Sequence, residues 1–246
     1  LLSLIYQQDR IILTASSPMA FKSSTNNVRI EEGIIRASVA TDSNQQLIEL
    51  IAESKGLDFS INNMTGWKIN GLLTGLRPHE NKKVYEYKYH LKFDELNSPE
   101  KATNFKAIPL PFSVNLEDFL LDADIFSQIS PSSGIFFNKD LSKINNIKAH
   151  FKLKEVAFQV QGDLIFSANG TLNGKLLFST KKWEQILSRL KEKKLLSDKS
   201  LQIISSGIIL RNLMSDTTEP VLKVPLSIKN NVMFVGPVRI GKLNQP

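Results

Sequence analysis

The 246-residue chain contains no cysteine, only three histidines and only two tryptophans. The first absence excludes disulfides, thiolate metal sites and cysteine nucleophiles. His79, His90 and His150 do not fall at metal-ligand spacing from one another, so a histidine-built zinc site is not expected. No apolar run reaches the length that a membrane-spanning helix needs. Phosphate-cradling glycine loops, dinucleotide fingerprints and G-x-S-x-G elbows are all missing. Ser188 and Lys191 make an S-x-x-K, but no S-D-N or K-T-G accompanies it. Catalysis is therefore the least supported class, and a non-enzymatic protein without metal or cofactor is expected.

What the chain does contain is alternation. In "NIKAHFKLK", Ile147, Ala149, Phe151 and Leu153 face one way and Lys148, His150, Lys152 and Lys154 the other. A strand so divided has one dry face and one wet cationic face, the mark of antiparallel sheet. "IPLPFSVNL" repeats the pattern at Ile108, Leu110, Phe112, Val114 and Leu116, after which the phase slips to Phe119, Leu121, Ala123 and Ile125. A β-bulge produces such a slip. Tyr85, Tyr87 and Tyr89 alternate with charged residues, and "NQQLIELIAES" reads as a strand ending at Lys55-Gly56.

Turn signals punctuate these runs. Asn70-Gly71, Asn169-Gly170 and Asn173-Gly174 are dipeptides that tolerate the positive φ of tight hairpins, and either of the last two can make the turn in their segment, because even-numbered apolar residues run through both. Gly162-Asp163 is a weaker signal of that kind. One segment reads as helix: Trp183, Ile186, Leu187 and Leu190 recur at helical spacing after Thr180, a capping residue. A weaker helix is expected after Ser197-Asp198. The chain then returns to strand, and "VPLSIKNNVMFVGPVRIG" reads as a hairpin turning at Asn230-Asn231, its second strand kinked at Gly236-Pro237. That return argues for a single β-rich domain over residues 1–246 with a helical insertion at about 180–214. The expected fold is mainly β: a large curled antiparallel sheet, groove or half-barrel, with one or two helices inserted before a C-terminal β-hairpin.

The net charge of +7 permits anionic partners. Alternate tyrosines on a strand more simply make one core-facing stripe than a base-stacking platform, so nucleic acid is not expected. Lys181, Lys182, Trp183, Arg189, Lys191, Lys193 and Lys194 form the candidate surface for an anionic membrane or a protein partner. An ordinary helix covering a sheet has the same pattern. Asp122 and Asp124, placed two apart, share one strand face and with Glu117 and Asp118 nearby offer carboxylates to a cation, although that face is also simply the wet side of the strand.

Residues 133–196 run strand, glycine, an L-x-F strand at Leu164-Ile165-Phe166, a glycine-bearing turn, strand, and a helix opening near Trp183. The chain closes on Pro225-Leu226 and Gly236-Pro237. This order resembles a family of alphaproteobacterial cell-envelope proteins carrying a domain of unknown function. Asn230-Asn231 replaces the Asp-Gly-like turn of that pattern, and a tryptophan before Ser133-Gly134 is missing. The strand layout is also similar to AsmA-type envelope proteins, whose curled sheets form an apolar groove linked to lipid handling. The resemblance implies a periplasmic or envelope location, reached through an N-terminal signal or anchor segment not present in this chain. It implies lipid or another apolar ligand held in a concave sheet, or alternatively a structural, protein-interaction module of an envelope assembly. Candidate groove residues are Phe112, Val114, Phe151, Leu153, Phe158, Leu164, Phe166, Leu176 and Phe178.

Overall fold

Period-two sequence becomes strand almost throughout the computed structural model. It describes residues 2–7, 10–22, 27–43, 47–62, 64–79, 86–99, 115–127, 141–167, 171–185, 188, 206, 221–235 and 238–243. The first half supplies β1 (Leu2–Gln7), β2 (Arg10–Ser16), β3 (Met19–Lys22), β4 (Asn27–Thr41), β5 (Leu47–Ile61), β6 (Met64–Pro78) and β7 (Glu86–Asn97). The second half supplies β8 (Asn115–Ser127), β9 (Leu141–Leu153), β10 (Val156–Phe166), β11 (Leu172–Thr180), β12 (Leu222–Lys229), β13 (Val232–Val235) and β14 (Val238–Lys242).

All 14 strands join one antiparallel sheet whose spatial order follows the chain. The one departure is at β4, which pairs with β3 along its first residues and with β2 along its later ones. Strands β1 and β14 are the edges, so the sheet is open. Among the described residues, helix is confined to residues 183–185, 188 and 206. The rest of the expected helical segment lies outside the described residues.

Where the chain reverses tightly, asparagine and lysine adopt the left-handed conformation. Asn230 and Asn231, with φ of 51° and 64°, make the β12–β13 turn as expected. Their side-chain chemistry explains why a second asparagine replaces glycine. The Asn231 carboxamide oxygen accepts from the Leu172 N–H at 2.7 Å, and the Asn231 N–H donates to the Leu172 carbonyl at 3.0 Å. Asn173 in turn accepts from the Asn230 N–H at 2.9 Å. A glycine at 231 would keep the turn and the backbone bonds but lose the carboxamide bond to β11.

Several expected turns prove to be strand interior. Asn70-Gly71 lies within β6, where Gly71 has φ of 63° and packs its backbone on Asp94 while pairing continues on both sides. Lys55-Gly56 lies within β5, which runs on to Ile61. Asn173-Gly174 belongs to β11, so β10 and β11 are joined through residues 167–171, of which Asn169 and Gly170 lie outside the described residues. Gly162-Asp163 marks a register shift inside β10. There Gly162 has φ of 151°, and a Cβ would run into the Lys175 carbonyl oxygen. Gly236-Pro237, the site of the expected kink, lies outside the described residues; on either side of it Val235 pairs antiparallel with Val238, so β14 is a separate edge strand. The expected bulge after Leu116 is present. Asp118 has φ of 50°, and the β8–β9 register shifts between Glu117 and Leu120.

Candidate functional site

The two faces of the sheet differ in chemistry. On the outer face, cross-strand ion pairs join Lys68 to Asp58 at 2.8 Å and Lys152 to Asp118 at 2.5 Å, and the His90 ring meets the Asp122 carboxylate at 2.8 Å. The hydrogen bond from Lys152 holds the Asp118 carboxyl below its ordinary range. Asp122 and Asp124 keep one face of β8, as expected, and each has its own partner: Asp122 meets the His90 ring at 2.8 Å, and Asp124 accepts from the Asn146 amide at 2.6 Å. Among the described residues no three His, Asp or Glu side chains gather as a metal site would require.

The inner face is apolar and hollow. A trough of about 540 Å³ is lined by Leu50 of β5, Thr74, Gly75 and Leu76 of β6, and Tyr89 of β7. Leu121, Ala123 and Ile125 of β8 and Ile144 and Ile147 of β9 continue the lining, and Val160, Leu164 and Leu176 of β10 and β11 complete it. Seven neighbouring strands laid flat would put Leu50 about 29 Å from Leu176. Both line one hollow, so the sheet curls around it. The register builds the lining row by row: Leu50 opposes Leu76, Leu76 opposes Tyr89, and Tyr89 opposes Ala123. Packing does not fill the hollow. The wall residues Leu76, Ala123, Ile147 and Val160 are buried, at 5–8% exposure, and the space between them stays open.

One end of the inner face carries an aromatic ladder. Phe93 and Phe119 are cross-strand partners stacked at 4.5 Å with 3° between their planes. Phe119 continues to Phe151 at 6.3 Å, and Phe151 to its cross-strand partner Phe158 at 5.2 Å. Phe59 stacks on Trp67 at 6.1 Å in the β5–β6 hairpin at the same end of the sheet. Offset stacking adds to the area buried by such rings.

The candidate groove residues divide among these features. Leu164 and Leu176 line the trough itself. Phe151 and Phe158 are rungs of the ladder. Leu153 opposes Val156 beside it, and Phe178 opposes Val160 across β10–β11, both on the inner face. Phe166 opposes Leu172 at the other end of that face. Phe112 and Val114 lie outside the described residues. Of the candidate membrane or partner surface, Lys181 and Lys182 are exposed, whereas Trp183 is 4% exposed and faces inward to protein. Arg189, Lys191, Lys193 and Lys194 lie outside the described residues.

Sequence reading missed the contributions of β5, β6 and β7. Their alternation is visible, but curvature alone brings Leu50, Leu76 and Tyr89 to the hollow. The polar side chains of the lining are Thr74, whose hydroxyl donates to the His90 carbonyl at 3.1 Å, and Tyr89. Such a lining can exclude water and hold an apolar body by surface burial and dispersion.

No curated protein and no solved structure matches the chain. A family model does match, over residues 1–244, so the chain belongs to the family described as "Uncharacterized protein conserved in bacteria (DUF2125)".

Proposed function

We propose that the protein is a non-enzymatic β-protein of the bacterial periplasm or envelope that binds a lipid acyl chain or a similar apolar ligand in its curled sheet. The observation that carries this reading is the trough: seven consecutive strands turn apolar side chains toward one unfilled hollow of about 540 Å³. Binding sites for small apolar molecules are concave, largely preformed and mostly apolar, and this hollow meets each condition. The envelope location rests on the likeness of the strand order to envelope proteins of the alphaproteobacterial and AsmA types. A cysteine-free chain suits an oxidising compartment.

Native mass spectrometry of gently purified protein, followed by organic extraction, tests the reading with palmitate as the added probe. A saturable one-to-one palmitate complex is expected. Ala123→Phe, at a 6% exposed position on the trough wall, is expected to weaken it at least about tenfold. Absence of any extracted or added apolar ligand would sink the proposal.

A second reading, a protein-interaction module of an envelope assembly without a bound ligand, draws on a different observation. Edge strand β1 is uncharged, and Leu4 and Ile5, on opposite faces of it, are 64% and 54% exposed. Uncharged apolar edges invite another strand. Crosslinking followed by co-purification of one stoichiometric partner, with no lipid in the extract, favours this reading over the first.

A further inference from the structure

The trough is uncharged throughout: no Asp, Glu, Lys, Arg or His side chain lines it. The charged residues of the same strands pair on the outer face, Glu49 with Arg77 and Asp122 with the His90 ring. An ionised headgroup drawn into the trough would lose its hydration with nothing to balance it, a cost that burial of its chain does not offset.

The two hydroxyls of the lining differ. That of Thr74 is committed to the His90 carbonyl. That of Tyr89 has no hydrogen-bond partner among the described residues. Tyr89 is half-buried, and its cross-strand neighbours are Leu76 on one side and Ala123 on the other, neither of which can bond a phenol. Four residues along β7, on the same face, Phe93 serves the ladder with a plain ring, so the hydroxyl at 89 adds something that a wall does not need. Water satisfies a phenol in an open trough. Hydrocarbon filling the trough removes that water and strands the hydroxyl, a cost that a ligand oxygen at the same place avoids. A site with a polar group to satisfy rejects the analogue that cannot bond it more sharply than an apolar pocket discriminates by size.

Resting on the reading that the trough holds an apolar ligand, we propose that Tyr89 is its specificity-determining residue. The hydroxyl bonds an uncharged ester or alcohol oxygen, so the preferred ligand is a neutral lipid rather than a fatty-acid anion or a plain hydrocarbon. Diphenylhexatriene, a hydrocarbon fluorophore without a polar atom, reports occupancy of the trough, and dodecanol, methyl laurate and laurate compete with it at neutral pH. Tyr89→Phe is expected to weaken competition by dodecanol and by methyl laurate at least about fivefold. The same variant is expected to hold the fluorophore as tightly as the wild type or more tightly, because no hydroxyl is stranded. Laurate is expected to compete for the wild type at least about tenfold more weakly than methyl laurate.

Weaker neutral lipids beside an undiminished fluorophore support the role of Tyr89, since lost wall packing would weaken both alike. If the fluorophore binds but neither neutral lipid competes, or Tyr89→Phe leaves their competition unchanged, or it weakens fluorophore and lipids together, that role is overturned while the trough remains a binding site. Laurate competing as tightly as methyl laurate overturns the neutral class of ligand. If neither the fluorophore nor any competitor binds the wild type, the trough reading itself falls, and the role of Tyr89 with it.

Discussion

Arg10, Glu49 and Arg77 show how single residues tie this sheet together. Arg10 on β2 reaches over Ala40 on β4 to Glu49 on β5 at 2.8 Å, and Arg77 on β6 meets the same carboxylate from the other side at 2.5 Å. The small, 7% exposed Ala40 makes the reach possible. The Glu49 side chain is only 12% exposed. The hydrogen bond from Arg10, then that from Arg77 and the charges of both, hold its pKa below the ordinary value, against the upward pull of burial. A folded-state pKa lower than the unfolded one gives stability that is complete above the unfolded pKa and lost as pH falls through the folded one. Glu49→Gln is therefore expected to cost about 1–2 kcal/mol at neutral pH. Urea denaturation should show the gap between the two proteins closing in acid. A gap that stays constant with pH would refute the electrostatic account.

At the scale of elements, the ladder makes four separate strands depend on one another at one end of the sheet. Phe119 sits between Phe93 and Phe151 and touches both neighbouring strands through ring faces. Phe119→Ala is expected to destabilise by about 2–4 kcal/mol, read as a lower urea midpoint with an unchanged m-value. An effect below about 0.5 kcal/mol, the size of a surface change, would show that the stack is incidental.

Strand content was legible because alternation over Ile147–Leu153 or Phe119–Ile125 needs no tertiary information. The bulge at Asp118 was legible for the same reason, since it moves the apolar residues out of phase. Turns were less so. A left-handed glycine serves a reversal or a strand interior equally well, and only the partner strands decide that Gly71 is the second. The separation of β14 from β13 was missed because Val238 continues the apolar pattern of Val232 and Phe234. The trough was half legible. Leu164 and Leu176 stand on strands with strong alternation, but alternation is identical in a flat and a curled sheet. The approach of Leu50 to Leu176 is a property of curvature, which no local run encodes.

For the whole molecule, the chain's route is its main economy: apart from the β2–β3–β4 corner, each strand pairs with its predecessor and successor in sequence. Residues 181–221 leave from β11 and return in β12, its immediate neighbour. Residues 224–246 thus supply most of β12 together with β13 and β14. Deleting them is expected to expose the Leu176 and Phe178 edge of β11 and to give aggregated protein on size-exclusion chromatography. A soluble truncation that melts cooperatively would contradict this account.

The meander carries a consequence for descent and design. Where neighbours in space are neighbours in sequence, a hairpin can be gained or lost at an edge without rerouting anything else. Two more strands would widen the arc and two fewer would narrow it, leaving each remaining register intact. The capacity of the trough is then a quantity that duplication or loss of about twenty residues can adjust in steps. Chains of this family that differ in strand number should differ in the girth of what they enclose rather than in how they enclose it.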